Sequence, residues 1–177
     1  MRISYSSLEL YQACPYLFKF TVLDKNKLPK SKEAVFGTVI HETLRFMFNP
    51  SPLFPAFDEI SDFFCLRWGE KSKNVEFKAE EEKSVFIKKG ILMLERFYKK
   101  NPPWNFTVLD LESRFEVSLN DAETNEEHKL VGIIDRIDKY DDDNYEIIDY
   151  KTSKRMPSQD RLDQNLQLSL YNLGLIK

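Results

Sequence analysis

The sequence predicts an α/β fold in which a mixed central β-sheet is flanked by helices and preceded by a mainly helical N-terminal part. Apolar residues recur at helical spacing between Glu80 and Lys100, which predicts a long amphipathic helix. Polar and apolar residues alternate from Phe106 to Leu119, as expected for a half-exposed strand. Two short segments rich in β-branched residues, 132–138 and 145–152, are separated by the turn-forming residues 141–144. This last pattern predicts a β-hairpin.

Length and composition limit the class of protein. The 177 residues, 42% of them hydrophobic, predict one domain with a helical part at 1–104 and a sheet with a C-terminal helix at 105–177. No apolar run predicts a membrane span or a signal peptide, and Cys14 and Cys65 do not make a disulfide framework. We therefore expect a cytoplasmic protein. The net charge of −3 argues against a generally basic nucleic-acid-binding surface but allows a local basic groove.

Three charged residues of the hairpin carry the strongest chemical signal. The two-residue period of a strand places Asp135 on one face with the apolar residues at 131, 133 and 137. The same period places Asp149 and Lys151 on the face of Ile147. A buried, unpaired charge costs roughly several kcal/mol, so these groups need compensation. A divalent cation held by both carboxylates would provide it, and a salt-bridged hairpin without a metal is the alternative.

The spacing of these residues resembles a known nuclease signature. Asp135 is followed fourteen positions later by Asp149-x-Lys151, as in PD-(D/E)XK nucleases. The surrounding residues are similar to the RecB-type branch of that superfamily, including its CRISPR-associated and AddB-like exonucleases. The motifs that share this similarity occur in the order of that branch: Ser4-Tyr5-Ser6-x-Leu8 with Cys14-Pro15, Gly37-x-x-x-His41, Gly132–Asp138, Asp149–Thr152 and Gln167-x-x-x-Tyr171.

The resemblance implies a restriction-endonuclease-like core and metal-dependent hydrolysis of DNA. It also implies site residues. The catalytic set is Asp135, Asp149, Lys151, Gln167 and Tyr171. The ligands for Mg²⁺ or Mn²⁺ are His41, Asp135, Asp149, the backbone carbonyl of Tyr150, and Glu112. The basic residues Arg136, Lys154 and Arg155 are candidate contacts to the nucleic-acid backbone.

Some of these residues have simpler explanations. His41 lies at the edge of the apolar stripe formed by Phe36, Ile40, Leu44 and Met47, where a packing role competes with the ligand role. Glu112 falls on the polar face of its strand and fits a solvated carboxylate equally well. Iron–sulfur members of the family use four cysteines. Because only Cys14 matches them, no cluster is expected, and Cys14 is interpreted as a small buried residue.

The remaining elements are predicted from local patterns. Ser6 and Glu9 form a capping-box pattern for a first helix that ends near Ala13. His128 is expected to be exposed at the start of a strand. Ser158 is expected to cap a single last helix with two stripes, one apolar and one polar. The apolar stripe comprises Leu162, Leu166, Leu170 and Leu173, and the polar stripe comprises Gln164, Gln167 and Tyr171.

The sequence therefore predicts an exonuclease in DNA repair, recombination or defence. The expected substrate is single-stranded DNA or duplex ends, with a helicase or another repair subunit as a further partner and no membrane association. A catalytically silent end-binding or scaffolding subunit with the same fold is one alternative. A structural Ca²⁺ site at Asp141–Asp143 is another, but it lacks the glycine and the distal glutamate of a calcium-binding loop.

Overall fold

The computed structural model describes residues 1–153 and 158–176, in which a short strand is followed by a run of helices, three consecutive strands and two further helices. The described strands are β1 (Arg2–Ser4), β2 (Thr107–Asn120), β3 (Glu127–Lys139) and β4 (Tyr145–Ile148). The described helices are α1 (Tyr5–Ala13), α2 (Pro15–Phe18), α3 (Lys32–Met47), α4 (Phe57–Lys71), α5 (Glu80–Lys100), α6 (Gln159–Asp163) and α7 (Leu166–Leu175). Among the described residues, none of these helices has both the length and the hydropathy needed to cross a membrane.

The sheet is organised around β3. Its strand order is β1-β3-β2, and β4 also pairs with β3. Strand β1 runs parallel to β3, with Ile3 opposite Leu130, whereas β4 runs antiparallel, with Ile137 opposite Ile147. Parallel and antiparallel pairs therefore occur in one sheet. The predicted α/β fold with a mixed sheet and flanking helices is confirmed, and so is the hairpin, whose turn is held by Asp141 Oδ1 accepting from the Asn144 N–H at 2.9 Å.

The described residues fall into two compact units. One comprises 1–29, 112–134 and 158–176, and the other comprises Lys30–Leu111 and Asp135–Ser153. In the second unit, α3, α4 and α5 pack together around a core that is rich in aromatic side chains. The predicted apolar stripe of α3 is buried as expected: Phe36, Ile40, Leu44 and Met47. The single-domain assignment for 1–177 remains a prediction.

The first helix begins earlier than the sequence pattern suggests. Ser4 is the N-cap of α1, and its side-chain oxygen accepts a hydrogen bond from the Ser7 N–H at 3.2 Å. The Ser7 hydroxyl oxygen in turn accepts from the Ser4 N–H at 2.8 Å. The capping box is thus Ser4–Ser7 and not Ser6–Glu9, because the serine ending β1 is already positioned for the cap. The predicted end of this helix at Ala13 is confirmed, but the next residue, Cys14, is exposed, so the prediction that Cys14 is buried is wrong.

The buried face of β3 differs from the prediction. Strand parity predicts that Ile133 lies on a buried face with Asp135, but Ile133 is 45% exposed. The alternate residues Leu130, Ile134, Arg136 and Asp138 are buried, together with Ile137. Apolar residues occur at both parities of this strand, so the sequence alone did not determine which face points inward. The charges that are buried, and that must therefore compensate each other, are those of Arg136 and Asp138.

Strand β2 does not alternate without interruption. Glu112 adopts a φ of 53°, in the left-handed region that side chains rarely occupy. Val108 and Leu111 pack against the core of their unit, whereas Leu109 is half exposed. Leu109 and Leu111, which plain alternation would place on one face, therefore do not share a buried face.

The C-terminal segment forms two helices rather than the single helix that was predicted. The break falls at Asn165, whose side-chain oxygen accepts from the Gln167 N–H at 2.9 Å and caps α7. Gln167 and Tyr171 of the predicted polar stripe are buried, whereas Leu166 and Leu173 of the predicted apolar stripe are exposed. Helical spacing predicts two stripes. Packing within the unit buries the Tyr171 ring and the Gln167 amide.

Candidate active site

The carboxylate-bearing end of the hairpin is built by the register of β3 and β4. Arg136 pairs with Ile148 in the antiparallel ladder. Continued by one residue, this register places Asp135 opposite Asp149, at the point where β4 has ended. Both side chains are largely shielded, with 17% of Asp135 and 12% of Asp149 exposed. The hairpin therefore brings the two predicted carboxylates to one end of the same strand pair.

Asp135 is held by two groups that are distant in sequence. Its Oδ1 atom lies 3.1 Å from Nδ1 of His41, 94 positions away in the chain. Its Oδ2 atom accepts a hydrogen bond from the backbone N–H of Tyr150 at 2.8 Å. Each oxygen of this carboxylate thus has a defined partner, and the side chain is fixed in orientation.

Helix α3 closely approaches the segment after the hairpin at a glycine. A Cβ atom placed on Gly37 would lie 3.3 Å from Oγ1 of Thr152, closer than most real Cβ contacts. Gly37 therefore lets α3 approach the segment that follows Asp149 closely. His41 lies one turn further along the same helix, which explains the Gly-x-x-x-His spacing as a means of bringing the imidazole to Asp135.

Tyr150 lies between Asp149 and Lys151, and its side chain fixes this part of the chain against the core. Its ring packs edge-on against His41 and Phe97, with ring centroids 6.0 and 5.7 Å apart. Its hydroxyl accepts a hydrogen bond from Arg136 at 3.1 Å, and burial raises the pKa of the phenol far above its ordinary value. The sequence resemblance implies a role only for the carbonyl of Tyr150, not for its side chain. In the sequence, this anchoring role is indicated by an aromatic residue at the strand parity opposite to that of its charged neighbours, Asp149 and Lys151.

Lys151 contacts the second carboxylate directly. Its Nζ atom lies 2.7 Å from Oδ2 of Asp149. Just over half of the Lys151 side chain is exposed, so the ammonium lies at the surface end of the site rather than in the core. The expectation that this lysine is buried with the carboxylates is wrong, because the chain leaves the strand at Asp149 and turns the long side chain outward.

The charges of the hairpin act on His41. Burial by itself lowers the pKa of His41, but the hydrogen bond that His41 donates to Asp135 and the negative charges of Asp135 and Asp149 outweigh it. Lys151 acts in the opposite direction, and the net result is a raised pKa. His41 thus lies within the electrostatic influence of both carboxylates, which favours a positive charge at its position.

The oxygen and nitrogen donors at the hairpin end are of the types that bind a hard divalent cation, but they do not form a complete set of metal ligands. Carboxylate oxygens with one imidazole nitrogen are suitable ligands for Mg²⁺ or Mn²⁺. Within the described part of the chain, however, no three His, Cys, Asp or Glu side chains are grouped so that they could hold a metal ion. The oxygens of Asp135 face His41 and Tyr150, and Asp149 faces Lys151. A metal held here would have to replace the contact between His41 and Asp135.

Arg136 is not available to a nucleic-acid backbone. Only 4% of its side chain is exposed, and it donates to Asp138 at 2.8 Å. Its guanidinium stacks over Phe48, 3.8 Å from the ring centroid, and lies 4.7 Å from that of Phe106. The prediction of a phosphate contact is therefore wrong, because strand parity points this arginine into the core.

Three of the remaining predicted site residues fall in the first compact unit. Glu112, Gln167 and Tyr171 are in the first unit, whereas the residues around Asp135 are in the second. Gln167 donates to the Tyr171 hydroxyl at 2.6 Å, and Phe115 packs edge-on against Tyr171. Lys154 and Arg155 lie outside the described residues. His128 was expected to be exposed but is half-buried, with its Nδ1 atom 3.3 Å from the N-terminal amine.

The fold and the hairpin define an α/β protein that presents Asp and Asp-x-Lys at the end of one strand pair. Comparison with protein families gives its family. The family described as the PD-(D/E)XK nuclease superfamily matches residues 2–176, and the chain therefore belongs to it. No curated protein was found to match the chain. Members of this superfamily are generally metal-dependent nucleases that typically use Mg²⁺ or Mn²⁺.

Proposed function

We propose that this protein is a divalent-metal-dependent nuclease that hydrolyses DNA phosphodiester bonds. We further propose an exonuclease of the RecB type, acting on single-stranded DNA or duplex ends in repair, recombination or defence, alone or beside a helicase. The observation that carries the proposal is the meeting of His41 with Asp135 at the end of the hairpin that also bears Asp149 and Lys151. Packing alone gives no reason for these four groups to converge.

The ligands of the proposed metal are Asp135, Asp149, the carbonyl of Tyr150 and His41, with Glu112 as a further candidate. When bound, Mg²⁺ or Mn²⁺ supplies a Lewis acid that polarises the phosphoryl oxygen and favours attack by water. The fixed orientation of Asp135 by the Tyr150 N–H supports this role, since that contact leaves the Oδ1 edge of the carboxylate facing His41.

Lys151 is proposed to stabilise negative charge on the reacting phosphate. Its ammonium is exposed enough to reach a substrate and is held near the hairpin end by Asp149. Exchange of this ion pair for contact with a phosphoryl oxygen would place a positive charge where negative charge grows in the transition state. Gln167 and Tyr171 are proposed to position the substrate, and Lys154 and Arg155 to contact its backbone.

A second candidate is a non-catalytic subunit that binds DNA ends with the same fold. It is favoured by the absence, among the described residues, of a closed group of three metal-binding side chains. The two candidates differ in one measurable property, because only the first hydrolyses DNA when a divalent metal is present.

The decisive experiment incubates the protein with end-labelled single- and double-stranded DNA in Mg²⁺, Mn²⁺ or EDTA. We expect metal-dependent release of short products, reduced about 100-fold or more in Asp149→Ala, a loss of roughly 3 kcal/mol in transition-state stabilisation. Asp142→Ala is the matched control, since Asp142 is an almost fully exposed carboxylate on the turn of the same hairpin. Equal cleavage by folded Asp149→Ala would remove Asp149 from the mechanism. Binding without cleavage under every condition would favour the second candidate.

A further inference from the structure

A cavity of about 430 Å³ lies within the first unit. Residues from β1, the start of α1, β2, β3 and α7 line it. Its volume falls in the range of small-ligand sites in proteins. Gln167 and Tyr171 are part of its wall, and both side chains are buried.

The charge of the cavity is opposite to that of the chain. Its described lining includes two arginines, Arg2 and Arg114, and no acidic residue. The chain as a whole carries a net charge of −3. Arg114 is exposed and makes no ion pair with any described residue. Arg2 is paired with Glu116 at 3.1 Å, but 69% of its side chain remains exposed, so N–H groups are left for a ligand.

The rest of the wall combines hydroxyl groups, aromatic rings and aliphatic side chains. Ser4 and Ser6 come from the β1–α1 junction, and Phe115 and Tyr171 supply rings. These two rings pack edge-on, with centroids 5.9 Å apart. Guanidinium groups recognise phosphate, and aromatic rings accept the face of a nucleobase, so the lining matches both parts of a nucleotide.

We infer that this cavity binds one nucleotide of a single-stranded nucleic acid, with Arg114 and Arg2 contacting its phosphate. A stacked base pair within a duplex does not fit a cavity of about 430 Å³, whereas an unstacked nucleotide does. The inference adds Arg2 and Arg114 to the substrate-binding residues and rests on the proposed function only for the identity of the substrate. Binding without catalysis would be consistent with it.

The test measures binding in EDTA, where metal-dependent hydrolysis is suppressed. A short fluorescein-labelled oligothymidylate is titrated with wild-type protein and with Arg114→Ala, Arg114→Lys and Arg96→Ala over a range of salt concentrations. Arg96 is the matched control, because it is an exposed arginine on α5 outside the cavity. We expect about tenfold weaker binding for Arg114→Ala, with the slope of log affinity against log salt lower in magnitude by about 0.7. Arg114→Lys should keep the wild-type slope, and Arg96→Ala should behave as wild type.

A second measurement needs no variant. Phenylglyoxal modifies accessible guanidinium groups, so its reaction with Arg114 in the wild-type protein should slow when the oligothymidylate is bound. Competition by thymidine monophosphate reports whether a single nucleotide suffices to occupy the cavity. Unchanged affinity and salt slope in folded Arg114→Ala, or equal modification of Arg114 with and without the oligonucleotide, would overturn the inference. If cleavage is never observed but binding depends on Arg114, the inference stands and the catalytic proposal fails.

Discussion

The Nδ1 atom of His41 lies 3.1 Å from Oδ1 of Asp135, although the two residues are 94 positions apart. Helix α3 has a complete buried stripe without this histidine, so its imidazole is not required to fill the core. The contact joins helix α3, which packs in the core of the second unit, to the end of the hairpin. It is therefore the most informative point at which to test whether the hairpin end binds metal.

The His41→Ala variant should bind divalent metal more weakly and keep its thermal stability. Loss of a nitrogen ligand should affect Mn²⁺ more than Mg²⁺, because imidazole is a softer donor than carboxylate. We expect a decrease of about tenfold or more in Mn²⁺ affinity, measured by calorimetric titration. The melting temperature should change little, since a third of the His41 side chain is exposed.

His128→Ala is the control for this experiment, because His128 is the second of the two histidines in the chain. It should leave Mn²⁺ affinity unchanged. If His41→Ala retained full Mn²⁺ affinity and melted at a much lower temperature, His41 would be a packing residue and not a ligand.

Breaking the buried Arg136–Asp138 pair should be strongly destabilising, although the intact pair adds little net stability compared with two apolar residues. Arg136→Ala leaves the Asp138 carboxylate buried without its cation, which costs about 3–5 kcal/mol. Replacing both residues, as in Arg136→Met with Asp138→Leu, should recover most of that loss, because no buried charge remains. Urea unfolding of the three proteins measures the difference.

The comparison for this pair is the exposed ion pair of Lys99 and Glu95 on α5, in which the Lys99 side chain is 70% exposed. Lys99→Ala should cost about 0.5 kcal/mol or less. A double variant no more stable than Arg136→Ala would show that loss of the guanidinium packing against Phe48, and not the unpaired carboxylate, dominates.

Gly132 should not tolerate alanine, for a structural reason that is independent of catalysis. A Cβ atom on Gly132 would lie 2.4 Å from Cε1 of Phe115, and one on Gly174 would lie 2.5 Å from Cγ of the same ring. We expect Gly132→Ala to lower the free energy of unfolding by about 1–3 kcal/mol. Combining it with Phe115→Leu should relieve part of the loss.

Gly69 provides the opposite expectation in the same measurement. A Cβ atom there meets no atom within 4 Å, and the residue lies inside α4. Gly69→Ala should therefore stabilise the protein by about 0.5–1 kcal/mol through helix propensity. Equal effects of the two substitutions would mean that the Phe115 contact does not constrain Gly132.

Glu42 should make the stability depend on pH in the acid range. Burial alone would raise its pKa, but hydrogen bonds from Lys71 and Arg67 outweigh burial and lower the pKa below its ordinary value. A group whose pKa is lowered by folding stabilises the protein above its unfolded pKa, and this contribution disappears as the pH falls through the folded pKa. The free energy of unfolding of the wild type should therefore exceed that of Glu42→Gln by about 1 kcal/mol or less at pH 7.

Urea unfolding of both proteins at neutral and acid pH checks this expectation. The difference between them should shrink as the pH falls below roughly 4, where the unfolded carboxyl begins to bind a proton. A difference that stays constant from neutral to acid pH would show that the Glu42 ion pairs do not contribute to stability.

The sequence by itself determined the elements whose signals are local. The apolar stripe of α3, the hairpin turn at Asp141 and the Asp and Asp-x-Lys residues at its end can be read from spacing. Helical and strand periods act over a few residues, so neighbouring side chains carry the information. The similarity of the motifs to nucleases also came from the sequence, and the family match over residues 2–176 agrees with it.

Only the tertiary structure decided which faces are buried and which distant residues meet. Strand β3 has apolar residues at both parities, so its sequence is compatible with either face inward, and packing selected the one with Arg136 and Asp138. In α7 it buried Gln167 and Tyr171 and left Leu166 exposed. The contact between His41 and Asp135 could not be read from spacing, because it depends on how α3 packs against the hairpin, and no local period extends over 94 positions.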